Sequence, residues 1–259
     1  MSDLDTFDPR PSFDVSGRSI LITGGGRGLG RAMSLGLAAC GARVTVVGRS
    51  KDELDATVQQ VRDAGGEAVA VSADITTDDG RRAAVAGAVE AFGGLDVLVN
   101  NAGIPGRATL DDLSLERWEE VHALNTSAPL FLAQAALPHL VESDHASIIN
   151  VLSITLWTSG PGSTLYRSSK AALQASTMVL AQELADRDIR VNALIPGTFE
   201  EGMGGRLAPE RLAGQNALTP MKRPGRPGEL VPAVLFLASD ASSYVTGATL
   251  RVDGGRVSL

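Results

Sequence analysis

Tyr166 and Lys170 are the residues whose types and spacing point most directly to chemistry. They stand four positions apart in a segment with a helical pattern, so their side chains project from one face of that helix. A free tyrosine has a pKa of about 10, and a neighbouring ammonium stabilises the phenolate and lowers that pKa. We therefore predict that Tyr166 exchanges a proton with a substrate oxygen.

Ser153 precedes Tyr166 by thirteen residues and ends a predicted strand. The end of a parallel strand and the first turn of the next helix both open at the carboxyl edge of the sheet, where ligands bind. Reduction of a carbonyl needs a hydride on carbon and a proton on oxygen. We predict that Ser153 donates a hydrogen bond to that oxygen and stabilises its developing charge.

A glycine-rich turn over residues 23–30 follows the first predicted strand and opens the first predicted helix. Glycines allow a dinucleotide pyrophosphate to approach the backbone, and the free N–H groups of the helix start bind the anion. Glycine-rich loops also serve as plain connections, but this strand–turn–helix context favours nucleotide binding. The predicted contacts from the turn are Gly24, Gly26, Arg27, Gly28, Leu29 and Gly30.

The end of the second predicted strand indicates which nucleotide binds. It reads Gly48, Arg49 and Ser50, without the carboxylate that would bind a ribose 2′-hydroxyl. The Arg49 guanidinium suits a 2′-phosphate, Arg27 can reach the same group, and Ser50 adds a hydroxyl. We predict NADP(H) as the cofactor; in the alternative, NAD(H) binds and Arg49 is only a solvated charge.

Strand and helix patterns alternate from residue 18 onward. This alternation predicts an α/β fold with a doubly wound (Rossmann) parallel sheet in a single domain, with helices on both faces. We expect a flexible arm over residues 1–15, and a cofactor-binding and catalytic domain over residues 16–259 with a substrate loop at about 197–226. The predicted strands are 18–22, 43–47, 68–71, 95–99, 147–152, 190–194 and 249–252, and the predicted helices are 28–41, 51–64, 78–92, 115–141, 164–186 and 227–238.

Composition excludes several classes of function. The 259 residues are 44% hydrophobic and bear a formal net charge of −7, which suits a substantial core and disfavours a nucleic-acid partner. The single cysteine, Cys40, leaves no intrachain disulfide and no multi-cysteine metal site. The N-terminus lacks a signal-peptide pattern and no apolar run is long enough to span a bilayer, so we expect a cytoplasmic protein without a membrane partner.

Three motifs resemble those of the short-chain dehydrogenase/reductase family: Thr-Gly-x-x-x-Gly-x-Gly at 23–30, Asn-Asn-Ala-Gly at 100–103, and Ser-x₁₂-Tyr-x₃-Lys at 153–170. The resemblance covers residues 16 to about 255. It implies a homotetramer or homodimer and a fourth catalytic residue, Asn125, which would hold a water that links Lys170 to solvent. The catalytic set it implies is Asn125, Ser153, Tyr166 and Lys170. The further cofactor contacts it implies are Asp74, Ile75, Asn101, Ala102, Gly103, Tyr166, Lys170, Pro196, Gly197 and Thr198.

The chain departs from the family pattern near the expected nicotinamide. Thr198 directly follows Pro196-Gly197, whereas the family's carboxamide-binding threonine comes several residues later, where this chain has Glu201. How the carboxamide is held is thus open. Residues 154–163 and 198–220 are expected to select the substrate, and their apolar side chains form either a pocket or part of the core. These side chains are Ile154, Leu156, Trp157, Phe199, Met203 and Leu207.

A smaller departure lies between Tyr166 and Lys170, where Ser168 replaces the alanine of the family's Tyr-x-Ala-Ser-Lys. With this change, the motifs still predict an NADPH-dependent oxidoreductase that reduces a ketone to a secondary alcohol, or the reverse. Two alternatives remain, an NAD-linked alcohol dehydrogenase of the same fold and a regulator that binds NADP without turnover. A regulator would not need Ser153, Tyr166 and Lys170. The identity of the small-molecule substrate is not predicted.

Overall fold

The structure, a computed structural model, describes residues 10–158, 160–203, 205 and 207–257. Its strands are β1 (Ser19–Thr23), β2 (Arg43–Gly48), β3 (Glu67–Ser72), β4 (Val97–Asn100), β5 (Ser147–Val151), β6 (Arg190–Pro196) and β7 (Thr249–Val252). They form one seven-stranded sheet in the order β3-β2-β1-β4-β5-β6-β7, and each neighbouring pair is parallel.

Helices cover both faces of this sheet, which confirms the predicted doubly wound α/β fold. α1, α2 and α9 pack on one face, and α3, α5 and α7 on the other. None of the described helices is both long and apolar enough to cross a bilayer. The helices are α1 (Gly28–Ala39), α2 (Lys51–Asp63), α3 (Asp78–Phe92), α4 (Leu115–His122), α5 (Ala128–Leu140), α6 (Thr155–Thr158), α7 (Thr164–Glu183), α8 (Pro209–Leu218) and α9 (Val231–Ala238).

The central strands are mostly apolar because both of their faces are covered. Ile20 and Ile22 of β1 join the core under α1, α2 and α9, whereas Leu21 between them joins the core under α3, α5 and α7. This is the two-residue alternation of a strand, applied to a sheet with two buried faces. The strand order reverses between β1 and β4, so the loops that leave these two strands diverge and open a crevice between them.

The expected N-terminal arm is shorter than predicted. Val15 is fully buried in the core, and the Phe13 ring lies 6.4 Å from the Phe236 ring. The domain therefore begins before residue 16, because an apolar residue at position 15 contributes to its core. The rest of the expected arm, residues 1–9, lies outside the described residues.

The single helix predicted over 115–141 is interrupted. α4 and α5 are joined by a π-helical turn over Ala123–Ser127, which comes just before Pro129. A π turn takes one more residue per hydrogen-bonded ring than an α turn, and such turns are frequent at functional sites. Here the turn directs the Asn125 side chain into the interior, where it is fully buried.

The stretch 197–226, predicted to be irregular, contains a helix. α8 begins at Pro209, which suits the first helical position, and has Glu210 in its first turn, where a carboxylate is favourable. The glycines and prolines on either side of this segment concealed its helical pattern. The substrate loop expected from the sequence is thus two loops separated by α8.

Candidate active site

Ser153, Tyr166 and Lys170 meet at the carboxyl edge of the sheet, as their spacing predicted. Ser153 follows the end of β5, and Tyr166 and Lys170 lie in the first two turns of α7. The side chains of Ser153 and Tyr166 are hydrogen-bonded to each other. Lys170 Nζ lies 5.9 Å from the centre of the Tyr166 ring. The three polar groups thus form one cluster beside the crevice between β1 and β4.

Lys170 is buried, with 2% of its surface exposed, and its Nζ donates a hydrogen bond to the Val151 carbonyl oxygen at 2.8 Å. Burial removes water from the ammonium and lowers the pKa of Lys170 to about 8. The side chain is therefore still mainly charged at neutral pH but lies close to its titration range, where a proton is lost and regained readily.

Burial has the opposite effect on Tyr166. It disfavours the phenolate and raises the pKa of Tyr166 to about 12, although the hydrogen bond with Ser153 acts in the lowering direction. Burial therefore outweighs the lowering of the Tyr166 pKa that the spacing of Tyr166 and Lys170 predicts. The spacing indicated a shared helix face but could not indicate how far the phenol is buried. At neutral pH Tyr166 is a phenol, which is the form that donates a proton.

Lys170→Met is expected to stabilise the fold at neutral pH. Burial lowers the pKa of Lys170 from 10.5 to about 8. Folding with a charged Lys170 therefore costs about 3 kcal/mol, which the methionine variant avoids. The variant also loses the hydrogen bond to Val151, which removes about 1 kcal/mol of this stabilisation. We expect the free energy of unfolding at pH 7, measured by urea denaturation, to rise by about 1–2 kcal/mol.

The pH dependence of this gain is a second measurement on the same variant. Between pH 8 and 10.5 the native Lys170 loses its proton before the unfolded chain does, so the wild type gains stability as pH rises. The advantage of the methionine variant must then shrink across this window. A difference in unfolding free energy that stays constant from pH 7 upward would show that burial of the charge is not its cause.

Asn125 joins the loop after β4 to α7. Its Oδ1 accepts a hydrogen bond from the Ile104 N–H at 2.9 Å, and its Nδ2 donates to the Ile104 carbonyl at 3.0 Å and to Ser169 Oγ at 3.1 Å. A Cβ on Gly103 would lie 3.1 Å from Asn125 Oδ1, so this loop packs closely on the amide. The Asn125 side chain is therefore a brace, and its role in holding a water stays a prediction.

The glycine-rich turn leaves no space for side chains at its centre. A Cβ on Gly30 would lie 2.1 Å from the Gly24 carbonyl oxygen, and a Cβ on Gly25 would lie 2.6 Å from Val46 Cγ1. Gly24 and Gly28 have φ values of +65° and +52°, in the left-handed region that favours glycine. The turn thus presents bare backbone at the N-terminus of α1, the arrangement that binds a phosphate anion.

Two braces hold this turn, and sequence reasoning missed a part of each. The buried Thr57 of α2 places its Oγ1 3.2 Å from the Gly26 carbonyl oxygen. On the other side Asn101 Nδ2 donates to the Thr23 carbonyl at 2.8 Å, and the N–H groups of Asn101 and Ala102 both donate to Thr23 Oγ1 at 3.0 Å. Thr57 gave no sequence signal, and Thr23, the first residue of the motif at 23–30, gave none for this contact, because the partners are 31 and 78 residues away.

The expected adenosine end is open and carries two arginines, Arg27 and Arg49. The side chain of Arg27 is 59% exposed and lies 3.5 Å from Glu53 Oε1. Arg49 and Ser50 are exposed. Burial opposes ionisation of Asp74, but hydrogen bonds from Thr76 and the nearby charge of Arg49 hold the pKa of Asp74 below its usual value. Arg27 and Arg49 are therefore free to reorient toward an anion.

Ile75, the neighbour predicted to contact adenine, is 5% exposed and packs in the core under α3, α5 and α7. Leu29 is partly buried and packs against the core on the opposite face. These two apolar residues thus hold their turns in place.

At the expected nicotinamide end, the residues after β6 are held mainly by their backbone. The Gly197 N–H donates to the Val252 carbonyl and the Gly225 N–H donates to the Thr198 carbonyl, each at 2.9 Å. Pro196 ends β6, and its carbonyl accepts a hydrogen bond from Ile154 at 3.3 Å. A Cβ on Gly28 would lie 3.0 Å from Gly202 Cα, so the segment after Glu201 lies directly on the glycine-rich turn.

The apolar residues expected to line a substrate pocket divide into two groups. Ile154, Leu156 and Phe199 are 3–7% exposed and belong to the core, because β5 and β6 leave room for them and the Phe199 ring packs on Gly225. Trp157 in α6 and Met203 in the loop after β6 are each 44% exposed, and Leu207 in the same loop is half-buried. Only this second group is accessible to a substrate.

These groups fit a phosphorylated dinucleotide. Bare backbone at a helix N-terminus suits the pyrophosphate, the exposed guanidiniums suit a further phosphate, and the cluster at Tyr166 lies on the far side of the same crevice. The described residues also fit chemistry at the nicotinamide end, because a partly buried phenol and a buried amine lie there together.

Comparison with known proteins agrees with this geometry. A family model described as enoyl-(acyl carrier protein) reductase matches residues 24–256. A 3-oxoacyl-[acyl-carrier-protein] reductase of Thermotoga maritima is 39% identical over 245 residues, which cover 94% of this chain and 99% of that protein. The crystal structure of a short-chain type dehydrogenase/reductase from Mycobacterium marinum superposes with a TM-score of 0.91 at 34% identity, over 96% of this chain and 99% of that one. The chain belongs to the short-chain dehydrogenase/reductase family.

Membership of the short-chain dehydrogenase/reductase family makes the chain an oxidoreductase that acts on alcohol- or ketone-type small molecules. Another structure of a short-chain dehydrogenase/reductase, from Beutenbergia cavernae, holds NADP at low occupancy and is provisionally described as an NAD(P)-dependent gluconate 5-dehydrogenase. It is 37% identical, covers 96% of this chain and all of its own, and has a TM-score of 0.89. The family resemblance predicted from the motifs is therefore confirmed.

Proposed function

We propose that this short-chain dehydrogenase/reductase uses NADP(H) to interconvert a ketone and a secondary alcohol, with Tyr166 as the proton donor or acceptor. The observation that supports this most strongly is the cluster in which Tyr166 is hydrogen-bonded to Ser153 and lies beside the buried Lys170. Among the described residues there is no second cluster of this kind, because the other tyrosine, Tyr244, is fully exposed.

Each residue of the cluster has a distinct part in the proposed reduction. Bound NADPH supplies the hydride that reduces the carbonyl carbon. Ser153 donates a hydrogen bond to the carbonyl oxygen, and the Tyr166 phenol gives its proton to that oxygen as negative charge develops there. The phenolate left behind is stabilised by the Lys170 ammonium, and Lys170 then returns a proton, which its pKa of about 8 allows near neutral pH. The alcohol oxidation follows the same path in reverse.

The cofactor is proposed to lie along the crevice. The turn from Gly24 to Gly30 binds the pyrophosphate, and Arg27, Arg49 and Ser50 bind the 2′-phosphate. Asp74 and Ile75 contact the adenine side. The nicotinamide half lies among the remaining contacts, which are Asn101, Ala102, Gly103, Tyr166, Lys170, Pro196, Gly197 and Thr198.

Arg49→Ala is expected to weaken NADPH binding by about tenfold and NADH binding by less than about twofold, because only NADPH has a 2′-phosphate to pair with the guanidinium. Arg27→Ala is expected to act in the same direction. Both dissociation constants are measured by titration of the reduced nicotinamide fluorescence. Arg187→Ala is the control, because Arg187 is an exposed arginine beyond the far end of α7. Tighter binding of NADH than of NADPH by the wild type would favour the NAD-linked alternative.

A panel of ketones, secondary alcohols, sugar acids and 3-oxoacyl thioesters tests the proposed reaction directly. We expect at least one compound to cause NADPH oxidation or NADP reduction that is absent from Tyr166→Phe. Tight NADPH binding with no turnover of any compound would instead support the regulator that binds the cofactor without reaction.

The domain limits and the assembly are part of the same proposal. We place one catalytic domain over residues 16–259, extended to include Val15, with substrate loops on both sides of α8. A homotetramer or homodimer is supported by large apolar side chains exposed on α5 and α7, such as Phe131 at 49% and Met178 at 53%. Sedimentation of the wild type as a monomer would contradict it. The cytoplasmic location stays a prediction.

A further inference from the structure

The two serines between Tyr166 and Lys170 are contacted by α4 and by the π-helical turn that follows it. Ser168 Oγ lies 3.3 Å from His122 Nε2, at the end of α4. Ser169 Oγ accepts a hydrogen bond from Asn125 Nδ2 at 3.1 Å, and Thr126 Oγ1 donates to the Ser169 carbonyl at 3.0 Å. The middle of the Tyr-x-x-x-Lys turn is thus held from outside its own helix. Ser168, the departure from the family's alanine, provides one of these contacts.

The His122 ring is fixed by a second partner. Its Nδ1 lies 2.9 Å from the Trp118 carbonyl oxygen, and because a carbonyl only accepts, Nδ1 must bear a proton. The ring also stacks on the Trp118 indole, with 3.9 Å between ring centres. With Nδ1 and the ring plane held in this way, Nε2 is directed at Ser168.

Ser168 passes this contact to the backbone of α7. Its Oγ lies 2.7 Å from the Thr164 carbonyl and 3.1 Å from the Leu165 carbonyl, in the turn that precedes and includes Tyr166. The hydroxyl has one hydrogen, so it donates either to the unprotonated Nε2 of His122 or to one of these carbonyls, and the imidazole competes with the α7 backbone for it. An alanine at position 168 would leave His122 Nε2 without this partner. The contact between His122 and Ser168 therefore connects α4 to the helical turn from which Tyr166 reaches Ser153.

We propose that His122 is a positioning residue that acts through Ser168 to hold the first turn of α7, and so the Tyr166 phenol, in its place for proton transfer. The inference rests on the proposed function, because it assigns a catalytic purpose to the position of Tyr166. His122 itself touches neither the Tyr166 phenol nor Lys170 among the contacts described. Its removal should therefore lower kcat and leave the binding of cofactor and substrate nearly unchanged.

The test compares two replacements of His122 in two backgrounds. His122→Gln keeps an amide oxygen that can accept a hydrogen bond from Ser168, whereas His122→Leu keeps only size. With Ser168 present, we expect His122→Leu to lower kcat by about tenfold with KM within about twofold, and His122→Gln to retain about half of kcat. In the Ser168→Ala background the two replacements should be equal, because the partner is gone. His145→Leu is the control, since His145 contacts Asp240 at the other end of the sheet.

A second readout needs no turnover. The chain has two tyrosines, of which Tyr244 is fully exposed and Tyr166 has its pKa raised to about 12. Phenolate absorbance is therefore measured in the Tyr244→Phe background, where Tyr166 is the only tyrosine and should stay un-ionised around pH 10. In His122→Leu a loosened turn should admit water to Tyr166 and move its ionisation into this range. His122→Gln should not show this shift.

The outcomes separate this inference from the proposed function. If no substrate is found but the phenolate shift distinguishes His122→Leu from His122→Gln, the positioning role stands without the proposed reaction. If the glutamine and leucine variants have equal kcat and equal titrations with Ser168 present, His122 only fills space and the proposal is wrong. The same conclusion follows if their difference persists in the Ser168→Ala background.

Discussion

Tyr166→Phe is expected to lower kcat by about a thousandfold, because general acid–base catalysis by one positioned group contributes about 10²–10⁴-fold. The variant loses only the phenol oxygen, so the ring should still pack beside Lys170. Binding of NADPH, measured by fluorescence titration, should stay within about twofold of the wild type. Single-turnover hydride transfer should fall with kcat, since the proton leaves Tyr166 as charge develops on the substrate oxygen.

Tyr244→Phe is the matched control for this variant. Tyr244 is the other tyrosine of the chain and is fully exposed, away from the cluster at Ser153. We expect its kcat to equal that of the wild type. A Tyr166→Phe enzyme with kcat reduced by less than about tenfold would mean that another group transfers the proton, and the mechanism built on Tyr166 would fail.

Gly30→Ala is expected to abolish cofactor binding and to destabilise the fold. The new Cβ would lie 2.1 Å from the Gly24 carbonyl oxygen and 2.6 Å from Asn101 Nδ2, so the backbone of the turn has to move. Forced overpacking of this kind costs about 1–3 kcal/mol. The displacement also breaks the phosphate cradle, and we expect the dissociation constant for NADPH to rise by at least about a hundredfold. Thermal unfolding and fluorescence titration measure the two effects.

Gly214→Ala provides the comparison. Gly214 lies inside α8, and a Cβ there would meet no atom within 4 Å. Alanine is the better helix former by about 0.5–1 kcal/mol, so this variant should be as stable as the wild type or slightly more stable and should bind NADPH normally. Normal NADPH binding by Gly30→Ala would mean that the turn does not hold the pyrophosphate.

The fold was predictable because its strands are short, apolar and separated by helical patterns. The ends of the elements were less predictable. β6, for example, continues to Pro196 because its last residues pair with β7, which lies more than fifty residues later in the chain. α8 was missed because Gly214 and the prolines around it weaken the helical pattern, whereas Pro209 at its first turn is a valid start. Local sequence does not specify such tertiary effects.

The candidate site was predictable where chemistry depends on spacing along one element. Tyr166 and Lys170 share a helix, so their proximity follows from the sequence. The pKa of Tyr166 did not follow, because burial depends on loops from other parts of the chain. The supports from Thr57 and His122 also escaped prediction, since each reaches a residue more than thirty positions away.

The π-helical turn over 123–127 limits the insertions and deletions that this part of the chain can accept. Deletion of one residue there would restore a regular helix and turn α5 by about 100° relative to α4. Leu132, Ala136 and Leu140, which now face the sheet, would rotate away from it. The same extra residue places Asn125 against the loop after β4 and sets which side of α5 faces the sheet. Single-residue insertions and deletions in this turn should therefore be poorly tolerated, because they rotate α5 out of its packing on the sheet.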